Sequence, residues 1–405
     1  MNAALARLIT AQIFLHATMA GTRMAAPLLM LREGYSAAAV GILLAFFGLA
    51  PLILAIPAGR FADRHGLHRP LRWCIVTACL GAGLAMLWPI YPVLCLAALL
   101  TGGAAAGAVI ALQRHVGRMA EGGVQLRQVF SWLAIGPAIS NFIGPLAAGL
   151  LIDHAGPVPG SLLGYGAAFG LMALLPGVTW LLLRPVREAP GQGDTQPVQG
   201  MPLRAWDLLK DRGFARLMLV NWFVSSCWDV HTLIVPLIGV ERGVNASVIG
   251  LILGSFALAA AAIRVAMPLL AAHLQEWAVM AGAMLMTAAL FAIYPLMPGP
   301  LSMAACSVML GMALGVVQPM VMSTLHQITP AHRQGEALGL RMMTVTGSSV
   351  LMPVVFGSVS ALVGSAGVFW IVSGIVGLGS RSAWLLRDAL ALHPPHESPR
   401  SDHSA

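Results

Sequence analysis

Charge is what this 405-residue chain has least of: 9% of its residues are Asp, Glu, Lys or Arg, against roughly 25% in an average soluble domain. The 58% that are apolar exceed what an aqueous globule can hide, which excludes a soluble fold. Cysteine is also scarce. Cys74, Cys79, Cys95, Cys227 and Cys306 fall inside apolar stretches without metal-ligand spacing, so they read as small buried hydrophobes, and neither a disulfide framework nor a metal site is expected. No Walker-type glycine loop, H-E-x-x-H or G-x-S-x-G is present, which removes the sequence signals for direct ATP drive and for common hydrolytic sites. Neither a cofactor nor an enzyme activity is expected.

What the chain does have is a succession of apolar runs, each about the 20 residues that a ~30 Å hydrocarbon core requires. Bounded by Pro, Gly and charge clusters, they predict an all-α membrane protein with twelve transmembrane helices near 6–31, 37–58, 70–88, 92–112, 126–152, 162–183, 214–239, 247–271, 277–296, 300–323, 337–362 and 366–386. The first apolar run continues through Leu31, too long for a signal peptide, and is read as the first span. The expected organisation is an N-terminal six-helix bundle over 1–183, a Pro- and Gly-bearing linker over 184–213, a C-terminal six-helix bundle over 214–390 and a disordered tail over 391–405.

The net charge of +8 comes from Arg in short loops rather than along one helix face, which favours topological anchoring over nucleic-acid binding. With the N-terminus in the cytoplasm, cytoplasmic segments hold Arg60, Arg64, Arg69, Arg72, Arg114, Arg118, Arg127, Arg184, Arg187, Arg204, Lys210, Arg212, Arg216, Arg333 and Arg341. The other side offers only Arg32 and Arg242. Both termini are therefore expected inside, in the inner (plasma) membrane of a bacterial cell.

The two sets of six resemble each other. A shift of 209 places Pro27 on Pro236, Leu28 on Leu237, Gly34 on Gly243, Gly41 on Gly250 and Leu44 on Leu253; a shift of 208 places Pro145, Gly149 and Gly156 on Pro353, Gly357 and Gly364. Because the first and seventh spans start on the same side, these are parallel repeats about an axis along the membrane normal.

Between the second and third spans stands Gly59-Arg60-Phe61-Ala62-Asp63-Arg64-His65-Gly66-Leu67-His68-Arg69. This resembles the signature loop of the major facilitator superfamily (MFS), G-x-[LF]-[AS]-D-R-x-G-[RK]-[RK]. Gly59, Phe61, Ala62, Asp63, Arg64, Gly66 and Arg69 match, and His68 takes a place usually held by a base. Gly59 and Gly66 suit a tight turn, and Asp63 suits the amides of a helix N-terminus. The resemblance implies a latch from Asp63 to the start of the eleventh helix, near Gly335 to Ala337. The mate between spans 8 and 9, Pro268 to His273, lacks the acid and the Gly pair, so the latch is one-sided. In the fifth span, Gly136-Pro137, Asn141, Gly144-Pro145 and Gly149 are similar to the antiporter motif of the superfamily, with Ala148 replacing one Gly. Generic helix packing explains the same residues. The fourth span lacks the Arg carried by the drug/proton antiporter branch.

Ionisable groups inside a bilayer are costly and are therefore functional candidates. Asp229 is the acid placed well inside a span; His16 and Arg23 are embedded in the first span and His231 in the seventh. The repeat aligns Arg23 with Thr232, so Arg23 and Asp229 are expected at similar depth, approaching across a central cavity to close its outer side and coupling a proton to its opening. Asn141, Asn221, Ser225, Ser226 and Gln318, with Trp222 and Trp228, are further cavity candidates. Arg264 and Arg341 read as cytoplasmic anchors.

Together these features imply a secondary active transporter, in monomeric form, that moves a small organic solute by alternating access. Proton-coupled efflux is the leading direction, proton-coupled uptake of an organic anion the alternative and a non-transporting membrane sensor the remote one. No nucleic-acid partner is expected.

Overall fold

The structure is a computed structural model that describes residues 3–119, 123–186, 205–270, 275–330 and 333–391. The linker residues 187–204 and the tail 392–405 lie outside it. The described residues fold into helices and connecting turns: α1 (Ala3–Arg32), α2 (Ala37–His65), α3 (His68–Leu87), α4 (Tyr91–Met119), α5 (Gly123–His154), α6 (Leu162–Leu183), α7 (Arg212–Glu241), α8 (Ala246–Leu270), α9 (Glu276–Ile293), α10 (Pro300–Ile328), α11 (Gln334–Trp384) and a short α12 (Leu386–Ala391). Among them, nine segments are long and apolar enough to cross a membrane. One of these, Ala337–Asp388, is long enough for two passes.

That double segment departs from the sequence reading, which put a loop after residue 362. Here α11 runs from residue 334 to 384 and is interrupted only at Gly364, whose φ of 76° and ψ of 167° break the helix without a loop. A second departure concerns the signature segment. Gly59 to His65 continue α2 as helix, and the turn is confined to Gly66, at φ 72°, and Leu67. Gly59 is therefore a helical residue, not part of a tight turn.

Apolar side chains on the outside show where lipid belongs. Leu362 and Leu378 are 85% and 82% exposed, and exposed Trp73, Trp88, Trp206, Trp370 and Trp384 stand near helix ends, as aromatic belts do. By contrast α7 is the most enclosed of the candidate spans, with 78% of its window buried.

Within the first half, α1 packs on α5 and α6, and α4 on α2 and α3; within the second, α10 packs on α8 and α9, and α7 and α9 on α11. The halves meet along two seams, α2 against α11 and α5 against α8. Both seams are contacts of backbone on backbone, and they repeat each other. A Cβ added at Gly41 would strike the Pro353 carbonyl, and one at Gly250 would strike that of Pro145. Likewise one at Gly357 would lie 2.6 Å from the Ala37 carbonyl oxygen and one at Gly149 2.5 Å from that of Ala246. Gly41 and Gly250, Pro145 and Pro353, Gly149 and Gly357, and Ala37 and Ala246 are related by the repeat shifts, so one contact is built twice.

These contacts sit toward the face where α1 ends and α2 begins. The opposite face, which carries the chain start, will be called the terminal face. On that side α2 exposes Leu52, Ile53 and Leu54, and α11 exposes Met342 and Met343. The seams thus close one end of the central axis, and toward the other end a cavity lined by Pro51 of α2 and Met342 of α11 parts these two helices.

Candidate functional site

Arg23 stands two turns beyond His16 on α1, so the two share a face of that helix. Asp229 lies about 25 Å along α7, where the helix is enclosed on all sides. The Arg23 Nη2 is 3.7 Å from the Asp229 Oδ1, with the carboxylate side chain 3% exposed and the guanidinium 24%. The other carboxylate oxygen accepts a 2.8 Å hydrogen bond from the Ser348 hydroxyl of α11. Ser348 is itself 3.3 Å from the Ser226 hydroxyl, which donates to the Trp222 carbonyl at 2.8 Å. The pair thus joins α1 to α7 and α11 across the axis, just inside the closed end.

A cavity of about 360 Å³ lies on the terminal-face side of the pair. Its walls come from α1, α2, α4 and α11, and His16, Arg23, Gln113, Thr346 and Ser349 supply the polar part. A smaller cavity of about 50 Å³ flanks Arg23 and holds Asn141, Trp228 and Thr232. Arg23 is thus shared by two cavities, and Thr232, its repeat-mate, lies in one of them. The Nε of Arg23 and the Nδ1 of His16 are buried without a hydrogen-bond partner.

Other residues singled out from the sequence are placed differently. Asn221, Ser225, His231 and Gln318 line neither of these two cavities. His231 is fully buried in the second half, with Nε2 2.9 Å from the Ser307 hydroxyl and its ring stacked on Phe256 at 4.1 Å; it serves packing there rather than facing a cavity. Gln318 accepts a hydrogen bond from Arg341. In α5, Gly136 faces Gln12 and Gly144 faces the Ala17 and Gly21 backbone of α1, while Pro145 and Gly149 belong to the α5–α8 seam. Ser140 adds a hydroxyl bond to the Ile13 carbonyl. Of the motif residues, Gly136, Gly144, Pro145 and Gly149 therefore each have a packing partner. The side chain of Asp63 and the latch expected from it fall outside the described residues, and Arg64 and Arg69 are exposed.

Two features of this region escaped sequence reading. Ser348 is one of many serines, and only the fold brings it to Asp229. Asp153 looked like an ordinary helix-end acid. In the structure it is 8% exposed, and its two oxygens accept hydrogen bonds from the Ala246 and Ser247 amides, at 3.2 and 2.7 Å, capping the start of α8 from the other half. The capped amides lie 93 and 94 residues further along the chain, so no local pattern marked the contact.

A sequence profile described as the Major Facilitator Superfamily matches residues 8–300 and 217–404. The chain belongs to the major facilitator superfamily. As a member it is a secondary transporter of small solutes and not an enzyme. No curated protein matches. Solved structures of this superfamily's fold do. A variant of the nucleoside transporter NupG superposes with a TM-score of 0.77 at 13% identity, covering 95% of this chain and 100% of that one. A bacterial homologue of the human lysosomal transporter Spinster, in an inward-facing and unoccupied conformation, gives 0.79 at 14% identity, covering 98% of each chain. A POT family transporter in complex with a thioalcohol-conjugated peptide gives 0.76 at 12%, covering 95% and 96%. Identities this low establish the shared MFS fold, two parallel six-helix repeats, and leave the cargo to the residues of this chain.

Proposed function

We propose that this MFS transporter moves a small organic solute across the inner membrane by proton-coupled alternating access, with export the leading direction. The bundles over 1–183 and 214–390 rock about the central axis, joined by the linker 184–213, and the monomer suffices. The observation that carries this reading is the Arg23–Asp229 pair, which ties the two halves together at the closed end. If both termini are cytoplasmic, as the Arg distribution indicates, the closed end is the outer one and the conformation is inward-facing.

Coulomb attraction at 3.7 Å is about 4 kcal/mol in an effective dielectric of about 20. Protonating Asp229 removes that attraction while leaving the Ser348 hydroxyl a partner. A proton arriving at Asp229 therefore loosens the outer closure, and its release re-forms it. The resemblance of the α5 stretch to the antiporter motif favours export, and its glycines pack against α8 in the same closure.

A second reading, uptake of an organic anion, is favoured by the unpartnered Nε of Arg23 between the two cavities. The test for both is transport in sealed proteoliposomes across an imposed pH gradient, with a panel of organic acids and cationic dyes. Asp229→Asn should abolish gradient-driven accumulation while sparing counterflow. Gradient-driven accumulation that survives in Asp229→Asn removes Asp229 as the coupling acid.

A further inference from the structure

The ion pair that joins the halves is uneven. At 3.7 Å Arg23 and Asp229 attract by charge without a hydrogen bond, and Asp229 takes its hydrogen bond from Ser348 instead. A guanidinium carries five N–H donors, and no acceptor among the described residues takes a hydrogen bond from Arg23. Its side chain is 24% exposed and lines both cavities, whereas Asp229 lines neither. No other carboxylate lines them either. A ligand in these cavities therefore meets the guanidinium and not its counter-charge.

That unevenness selects a ligand class. The larger cavity, about 360 Å³, falls at the low end of the ~300–1,000 Å³ that small-molecule sites span. Phe47, Val109, Ile110, Met342 and Val345 give it apolar walls, and His16, Gln113, Thr346 and Ser349 add hydrogen-bonding groups. A cation placed there faces Arg23 with no carboxylate on the wall, and a dianion brings more charge than one arginine offsets. A single carboxylate matches the flat fork of the guanidinium, and an apolar body matches the walls. The other titratable groups around the pair are His16 on α1, Cys227 and His231 on α7, and the exposed Arg264 of α8, 5.7 Å from the Trp228 ring centroid. From α11 come the Ser348 and Ser349 hydroxyls. Asp229 is the one acid among these described residues.

We propose that Arg23 anchors the substrate and that the substrate is a small monocarboxylate with an apolar body, whose carboxylate takes the place of Asp229 at the guanidinium while a proton from solvent takes the place of Arg23 at Asp229. One ion pair is exchanged for another, and substrate and proton together add no net charge. Protonated Asp229 keeps the Ser348 hydroxyl as its partner. Because each ligand removes the other's competitor, anion and proton strengthen each other's binding, and the effect is reciprocal. Filling the site also undoes the Arg23–Asp229 tie between the halves. The inference rests on the organic-anion reading of the transport function and gives it a substrate class and a coupling rule: one proton accompanies each carboxylate, in whichever direction the gradients drive it.

The test titrates the purified full chain in phosphatidylcholine nanodiscs with 4-hydroxybenzoate and cyclohexanecarboxylate, and with uncharged 4-hydroxybenzamide and cationic benzylamine as comparators. Titrations run between about pH 5.5 and 8, where a carboxylic acid of ordinary pKa stays ionised. At least one carboxylate should bind, with an affinity that rises by up to about tenfold per pH unit as the pH falls, and the comparators should bind more weakly by about tenfold or more. Asp229→Asn should bind that carboxylate at least as tightly as the wild type does at the acid end, with no pH dependence. Arg23→Gln should weaken binding roughly 10- to 150-fold. The double variant Arg23→Gln/Asp229→Asn, which leaves neither charge unpaired, should do the same and serves where the single variant does not fold. Absence of carboxylate binding, equal binding by the wild type and the double variant, a wild-type affinity indifferent to pH, or a pH dependence that persists in Asp229→Asn overturns the assignment. Counterflow in sealed vesicles, with protein-free vesicles setting the leak of the neutral acid, separates this site from the transport function. Benzylamine exchange without carboxylate exchange sinks the carboxylate site and leaves the transporter standing. Carboxylate binding with the expected pH dependence, but without exchange of any compound, keeps the site and removes its role in transport.

Discussion

The doubled glycine seam makes a quantitative prediction for Gly250→Ala. The added Cβ would lie 2.5 Å from the Pro145 carbonyl oxygen, 2.9 Å from its carbon and 3.2 Å from the Leu146 nitrogen. Ordinary carbon-to-oxygen contacts are about 3.3–3.6 Å, so α5 and α8 must part by on the order of an ångström at this point. All three atoms are backbone, and none can rotate away. Overpacking of this kind costs about 1–3 kcal/mol. If the seam separates during alternating access, the cost falls on the closed conformer alone, and the equilibrium shifts toward the other by roughly 5- to 150-fold. Spin labels at Val158→Cys and Asn245→Cys, on either side of this closed end and in a background with the five native cysteines replaced, report the change by pulsed electron resonance. The wild type should give a short distance, and Gly250→Ala a second, longer population. Gly41→Ala, the repeat-mate facing the Pro353 carbonyl, should do the same. A lowered melting temperature with an unchanged distance distribution would refute the reasoning, because it would make the seam permanent core packing.

Two other substitutions separate closure from bulk stability. Asp153→Ala removes the acceptor for the Ala246 and Ser247 amides, a capping loss of about 1–2 kcal/mol, and amide hydrogen exchange at the first turn of α8 should speed by roughly 5- to 30-fold. Unchanged exchange there would mean that the cap is idle. His231→Leu gives up the Ser307 hydrogen bond and the stack on Phe256, for about 1–3 kcal/mol; the melting temperature should fall while the pH dependence of transport stays as in the wild type. A changed pH profile would make His231 a proton carrier rather than a packing residue.

Much of the fold was legible because lipid imposes coarse rules: span length, charge asymmetry and a repeat that survives as Pro and Gly at fixed shifts. Arg23 and Asp229 were legible for the same reason, since a charge inside a span has few uses and the repeat set their depths. What surrounds them was not. Ser348 reaches Asp229 across 119 residues of chain, and no local pattern marks one serine among many. The contact of Arg341 with Gln318 was equally hidden, because only packing brings α10 and α11 together there. Gly364 was read as the boundary of two helices, whereas one residue with positive φ does the work of a loop.

The face opposite the chain start is connected by very little chain: residues 33–36, 88–90, 155–161, 242–245, 297–299 and Gly364 alone. A protease, an antibody or a partner protein confined to that side meets almost no segment long enough to grip or cut, and the pivot at Gly364 offers none at all. Binders raised against this protein should therefore fall mostly on the terminal face.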